Sequence, residues 1–366
     1  MSTMATRFRK IGAVTMSALC VIGMLGGSAL AQSRYESQAK SALTWMRSQQ
    51  QPDGSFAGFG AGSTVDAALA IIAAGESPSA YSIGGNTPVT FLESKVVDLT
   101  KTPGSAGKLL VLAASLNSGS GTFGGVDLIN VINSSYDAGT GHYGKDAIGH
   151  AFAMLGLHAA GQQIPAAAIA FLKSVQTPEG GWAFSGDTAA GAADTNTTAV
   201  VLQALAIVGA TKTEPDVIKK AVTYLSSQQN ADGGFPYQKV GGPDSESDVN
   251  STAYVAQALL TTSNTTMADQ ALAFIVSVQK PNGAFQWKKS EPDDNAGATY
   301  QAVPALLGAS LAFPNPTLAA DPTASQPVPG MPTTGSPVAD LLGALAGMAA
   351  LALGVGVIAR RKALVR

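Results

Sequence analysis

The sequence predicts an all-α ring of six helical hairpins, and three observations carry that prediction. A Gln-x3-Gly-x-aromatic motif occurs four times, anchored at Gln50/Phe56, Gln176/Trp182, Gln229/Phe235 and Gln279/Phe285. The anchors recur at a period near fifty residues, 53 from Gln176 to Gln229 and 50 from there to Gln279. Such a period marks stacked copies of one supersecondary unit. No alternating apolar pattern proposes strands in competition.

One copy defines the unit. Ala221, Val222, Tyr224, Leu225 and Gln229 recur at helical spacing until Asp232-Gly233-Gly234 breaks the helix. A second helix opens at Asp248, where a short polar cap precedes the Ala-rich run Ala253 to Leu260. The first two anchors lie 126 residues apart, room for two more hairpins. Thr87 to Leu99 with Ser105 to Leu116 forms one, and Val126 to Ser135 with Lys145 to Ala160 the other, both without the Gln signature. Six hairpins with Ala-rich second members facing inward can close on themselves, each burying its neighbour's apolar face.

The chain divides into residues 1–31, 32–313, 314–337 and 338–366. Arg7, Arg9 and Lys10 precede an apolar run to Leu25, and Ala29-Leu30-Ala31 reads as a small-residue cleavage site, the pattern of a secretory signal. Pro, Thr, Ser and Ala dominate from Pro314 to Pro337, a linker composition. Leu341 to Ala359 is nineteen uncharged residues, enough to span a bilayer as a C-terminal transmembrane helix. Arg360, Arg361 and Lys362 follow it as a positive-inside stop. Met331-Pro332-Thr333-Thr334-Gly335 resembles the Leu-Pro-x-Thr-Gly signal cleaved by sortases, with Thr334 and Gly335 as the sorting residues. These ends place the ring outside the membrane, anchored in membrane or cell wall, with a sortase as a candidate partner.

Composition agrees with an extracytoplasmic globular domain. Charged residues make up 13% of the chain, against about 25% in average proteins. The formal charge of −2 becomes −5 without Arg7, Arg9 and Lys10, and −9 when Arg360, Arg361, Lys362 and Arg366 are also set aside. Phosphate binding needs a basic face, so a nucleic-acid partner is disfavoured. The single cysteine, Cys20, lies in the signal-like run, which leaves the remainder without thiolates for disulfides or metal sites.

The fourfold motif resembles the Gln-Trp repeat of the terpenoid cyclase and protein prenyltransferase superfamily, over roughly residues 33 to 313. The resemblance implies an (α/α)6 toroid whose outer helices end at each Gln and whose inner helices start near each Asp. It assigns Gln50, Gln176, Gln229 and Gln279, with their aromatics, to tying the outer wall together.

The resemblance also supplies tests of catalysis. Class II cyclases of the superfamily carry Asp-x-Asp-Asp-Thr-Ala, whose middle Asp protonates an alkene, which demands a strong and positioned acid. The matching run here is Asp194-Thr195-Asn196-Thr197-Thr198-Ala199, with an amide in the acid's place. Asp248-Val249-Asn250-Ser251-Thr252-Ala253 repeats the departure, and Asp294-Asn295-Ala296-Gly297 occupies the register in the last unit. Glu291-Pro292-Asp293-Asp294 lacks the Thr-Ala that should follow and reads as a solvated acidic loop. Prenyltransferase zinc sites, lanthionine cyclases and thioester proteins all need a cysteine that is absent.

Spacing offers two metal arrangements, and no cofactor is predicted. His142, Asp146 and His150 could offer three ligands to zinc or another divalent ion, against the plainer reading of Asp146 as a helix cap and His150 as a packed residue. His158 lies further along the same helix. Asp244 to Asn250 carries alternating oxygen side chains that could wrap calcium, but without the Gly and bidentate Glu of an EF-hand.

What repeats functionally is a polar collar. Asp66, Asp146, Asp194, Asp248 and Asp294 fall near the starts of the inner helices, where closure would gather them at one mouth with Asn196 and Asn250. Trp182, Phe184, Tyr237 and Trp287 lie nearby, and such a mouth suits a small molecule, a glycan or an envelope protein. Cobalamin carriers of the superfamily look similar but have a companion β-domain for which this chain has no room. The expected function is a noncatalytic binding ring. A divergent cyclase or carbohydrate-active enzyme and a structural spacer are the alternatives.

An Asn196→Asp chain should not convert squalene, since one restored carboxyl does not rebuild an acid site. Gas chromatography of products decides this, and cyclised product from the unaltered chain would contradict the reading.

Overall fold

The structure, a computed structural model, describes residues 34–116, 121–240 and 245–314. The secretory, linker, sorting and membrane-anchor segments, with Thr334 and Gly335, lie outside the described residues. Contacts divide the chain into Met1–Ser325 and Gln326–Arg366, and every described residue lies in the first.

The inner wall consists of α2 (Gly60–Ala73), α5 (Pro103–Leu116), α7 (Ala147–Ala159), α9 (Thr195–Ile207), α12 (Val249–Thr261) and α14 (Ala296–Leu306). Each packs on the next and α14 packs on α2, which closes the ring. The outer helices are α1 (34–48), α3 (Pro88–Ser94), α6 (Leu128–Ser134), α8 (Ala166–Ser174), α11 (Pro215–Gln228) and α13 (Thr265–Ser277). Two single-turn helices, α4 (Val96–Leu99) and α10 (Ala210–Thr213), extend the connections. The fold is therefore the expected ring of hairpins. Among the described residues it departs from all-α in isolated bridges and in two pairs of two-residue strands, Thr122–Phe123 with Val126–Asp127 and Tyr136–Asp137 with His142–Tyr143.

Inner helices approach closely because their contact faces are small. A Cβ on Gly107 would stand 2.3 Å from the Phe152 carbonyl oxygen, so α5 and α7 meet backbone to backbone. The inner helices are buried almost all round, as helices walled on both sides must be.

The repeated Gln ties neighbouring outer helices at two of its four positions. Gln176 Nε2 donates to the Val217 carbonyl at 3.0 Å, in the first turn of α11, and to the Gly180 carbonyl at 2.8 Å. Gln279 Nε2 does the same at the seam, reaching the Gln38 carbonyl of α1 at 2.9 Å. Gln50 Nε2 reaches the Tyr81 carbonyl at 3.0 Å, and Gln229 Nε2 the Gly233 carbonyl at 2.9 Å. The motif's Gly is needed because that turn lies against the next outer helix. Gly283 has φ +96°, and a Cβ there would stand 2.3 Å from the Ser41 carbonyl oxygen.

Gly283→Ala should lower stability by about 1–3 kcal/mol through φ strain plus a clash that opens the seam. Gly75→Ala, at φ +74° with nothing within 4 Å, is the control for φ alone. Urea unfolding should show the larger loss at Gly283, and equal losses would contradict closure at this turn.

Candidate functional site

The mouth is built by one hydrogen-bonding pattern repeated from hairpin to hairpin. The backbone N–H of each anchor aromatic donates to a hydroxyl near the start of the following inner helix. Phe56 donates to Thr64 Oγ1 at 3.0 Å, and Trp182 to Thr198, Phe235 to Thr252 and Phe285 to Thr299 each at 2.9 Å. In the third hairpin Tyr143 N–H donates to His150 Nδ1 at 3.0 Å. Neighbouring units are joined by a second repeat: the first amide of an inner helix donates to a carbonyl of the next hairpin. Ala147 donates to Phe184, Thr195 to Tyr237 and Val249 to Trp287, each at 2.9 Å.

The collar carboxylates are mostly engaged in this scaffold. Asp146 Oδ1 caps α7, accepting from Gly149 N–H at 2.6 Å. Asp194 accepts from Thr197 N–H at 2.7 Å and from its hydroxyl at 2.8 Å, and Asp248 accepts from Ser251 in the same way at 2.7 and 2.8 Å. Burial pushes both carboxyls above the usual carboxylate range, more than these hydrogen bonds pull them back.

Three placements correct the sequence reading. Asp66 is not at a helix start; it lies inside α2, whose N-cap Phe59 offers no side-chain bond. Asp294 does not cap α14, because Asn295 does, accepting from Ala298 N–H at 2.9 Å. Asp294 instead pairs with Lys280 at 2.6 Å and accepts from Trp45 Nε1 at 3.1 Å and Asn282 at 2.7 Å. The Lys280 contact holds its carboxyl below the usual range. Trp182 is fully buried and donates through Nε1 to the Leu172 carbonyl at 2.7 Å, so it is wall rather than mouth. Phe184 and Tyr237 remain at the mouth, 55% and 48% exposed.

The zinc reading does not survive the geometry. His150 is fully buried, and with Nδ1 accepting from Tyr143 its Nε2 carries the proton, donating to the Ala168 carbonyl at 3.0 Å. His142 stacks on Phe171 at 4.1 Å, with Nε2 facing the Asp146 backbone oxygen rather than its carboxylate. His158 lies in the last turn of α7, its pKa lowered by burial. Asp244 of the proposed calcium loop lies outside the described residues. Asp248 is a cap, and Glu246 accepts from Ser290 N–H at 3.0 Å. Among the described residues no group of three or more His, Cys, Asp or Glu could hold an ion.

Sequence reasoning missed the centre of the ring. Asp66 on α2 forms an ion pair with Lys108 on α5, and Lys108 Nζ donates to the Tyr254 hydroxyl of α12 at 3.2 Å. Gln301 of α14 donates to Asp66 at 3.3 Å and accepts from Asn250 Nδ2 at 2.8 Å. Burial lowers the Lys108 pKa, but the attraction of Asp66 and Tyr254 outweighs it, so the ammonium is held charged. Five side chains from four inner helices thus meet across the lumen. Below this network lies a cavity of about 30 Å³ lined by Asp66, Leu69, Tyr254, Gln257 and Gln301, among others. That is room for about two waters. A second cavity of about 210 Å³ opens at the mouth beside Trp287, bounded by Ser290 to Asn295.

Comparison with known proteins defines the class. The sequence profile of the squalene-hopene cyclase C-terminal domain matches residues 114–297, half of the chain. The chain belongs to that family, within the α/α-toroid superfamily. The profile of the prenyltransferase α/α-toroid domain matches residues 7–77, beginning inside the segment read as a secretory signal. No curated protein matches the chain in sequence. Solved structures of similar fold include a variant of the type II terpene cyclase MstE from Scytonema in complex with geranylgeranyl dihydroxybenzoate. It has a TM-score of 0.57 and 12% identity, covering 76% of this chain and 98% of that one. The GH76A alpha-1,6-mannanase of Salegentibacter sp. HEL1_6 has a TM-score of 0.54 and 10% identity, covering 75% and 98%. An unsaturated glucuronyl hydrolase specific for heparin has a TM-score of 0.54 and 13% identity, covering 74% and 95%.

His150 sets a pH limit. Burial holds its pKa at about 4 against an ordinary 6.5, so the native state keeps it neutral while the unfolded chain protonates it. Stability from this group is present above pH 6.5 and lost as pH falls towards 4, about 3 kcal/mol in all. His150→Thr should retain the Tyr143 hydrogen bond and flatten that loss. Urea midpoints of both proteins between pH 7 and 4 check this, and parallel curves would contradict it.

Proposed function

We propose that this chain is a noncatalytic, outward-facing toroid that binds a glycan at its mouth. The observation that carries the reading is the cavity of about 210 Å³ beside Trp287, rimmed by Ser290, Glu291, Asp293 and Asp294. The indole supplies an apolar face for sugar C–H groups, while exposed Glu291 and Asp293 accept hydrogen bonds from hydroxyls. Its volume is below the roughly 300–1,000 Å³ of drug-sized sites, which suits one or two sugar rings. Lys288 lies over the indole at 4.1 Å, and Glu246 accepts from Ser290, so both ends of the rim are braced.

Loss of catalysis is supported by chemistry rather than by fold. The alkene-protonating position holds Asn196 and Asn250, which cannot supply a proton. The repeated carboxylates beside them, Asp194 and Asp248, are buried helix caps. A long isoprenoid would have to displace the Asp66–Lys108 pair. The structurally similar mannanase is also described in complex with alpha-1,6-mannotriose, which shows a ring of this fold holding an oligosaccharide. Export by the N-terminal segment and anchoring by Leu341 to Ala359 would present the mouth to envelope glycans.

Titration calorimetry of the purified chain against a glycan panel that includes mannooligosaccharides should find a binder. Trp287→Ala should weaken it at least about tenfold with the melting temperature little changed. Binding indifferent to Trp287, or release of new reducing ends during the titration, would contradict the proposal.

A further inference from the structure

Three aromatic side chains stand at one repeated position around the mouth. Phe184, Tyr237 and Trp287 each follow their anchor aromatic by two residues, after Trp182, Phe235 and Phe285. The backbone of each is pinned to the neighbouring hairpin, because its carbonyl accepts from the first amide of the preceding inner helix. Phe184 is held in this way by Ala147 of α7, Tyr237 by Thr195 of α9 and Trp287 by Val249 of α12. Those three helices are consecutive neighbours in the ring, so the aromatics follow one another along an arc of the rim. The arc has definite ends. The equivalent position holds Gly58 after Phe56 and Lys145 after Tyr143, both exposed.

The three rings do not serve the fold. Their anchors Trp182, Phe235 and Phe285 are fully buried in the wall, whereas Phe184 and Tyr237 are exposed and Trp287 lines the mouth cavity. Exposed apolar side chains grouped in this way and rimmed by polar ones mark a binding surface. Spacing and chemistry select what binds there. Packed helices lie about 8–10 Å apart, so the outer two rings are separated by up to roughly 16–20 Å. That is further than the one or two sugar rings held beside Trp287 can reach. Polar groups interleave with the rings: exposed Ser185 and Asp187 follow Phe184, and exposed Ser290, Glu291 and Asp293 follow Trp287. A lipid tail or an apolar peptide would cover these carboxylates without pairing them, which is unfavourable. A sugar chain offers C–H faces to the rings and hydroxyls to the carboxylates between them.

We infer, resting on the glycan binding at Trp287 proposed above, that the ligand is a linear neutral oligosaccharide lying along this arc, with Tyr237 and Phe184 as further platforms. Each platform adds its contact to a ligand already held at the one before, so affinity rises with chain length until the arc is filled.

Titration calorimetry of the full chain with α-1,6-mannobiose and α-1,6-mannohexaose, and with cellobiose and cellohexaose, tests the arc. In a series that binds, the hexasaccharide should bind at least about tenfold more tightly than the disaccharide, beyond the gain from having more binding registers. Phe184→Ala should remove most of that advantage while disaccharide affinity and the melting temperature stay unchanged, whereas Trp287→Ala should weaken both lengths. Equal affinity for the two lengths, or a Phe184→Ala chain that keeps the full advantage, would overturn the arc and leave the site at Trp287 standing. Binding of neither series would overturn the arc together with the glycan reading.

Discussion

Closure of the ring is the constraint on which the remaining features depend. An Ala-rich inner helix buried on both sides cannot stand alone, and a row of them needs its last member to cover its first. The seam achieves this with the same groups used between internal hairpins: α14 against α2, Gln279 onto Gln38, and Trp45 onto Asp294. Fixed inner-helix spacing then determines which side chains meet at the centre. The chain fills that centre with a polar network, where a cyclase would require an open apolar chamber.

That filling reorders the functional reading of the collar. Carboxylates near helix starts could serve catalysis, binding or capping, and in this ring Asp146, Asp194 and Asp248 cap, contributing about 1 kcal/mol of stability each. The side chains that aim at free space are different ones: Trp287 and the acidic loop at the mouth. A buried ion pair such as Asp66–Lys108 is weak evidence for stability, since desolvation offsets much of the attraction. Its structural consequence is occlusion of the lumen, a matter of specificity.

The hairpins and the outer-wall ties were legible because a fixed Gln-x3-Gly-x-aromatic spacing fixes local turn geometry. The third hairpin shows how such a signal fades. Gly141-x-Tyr143 keeps the Gly and aromatic positions and His150 takes the place of Thr, while Asp137 stands where Gln should, so only the full register reveals it. A one-residue slip gave Asp294 the cap that belongs to Asn295, since both are short polar residues. Lys108, Tyr254 and Gln301 could not be found, because their partners lie 146 and 235 positions away and meet only when the ring closes. Trp182 was misplaced for a related reason: the anchor aromatic points into the wall, and the residue two further on faces the mouth.

In this ring the lumen is occupied by the protein itself. A crystal structure grown with both a polyprenyl compound and a mannooligosaccharide would test this directly. Lys108 should remain paired with Asp66 and in contact with Tyr254, with sugar density against Trp287. An isoprenoid chain threaded through the lumen with Lys108 and Asp66 separated would contradict it.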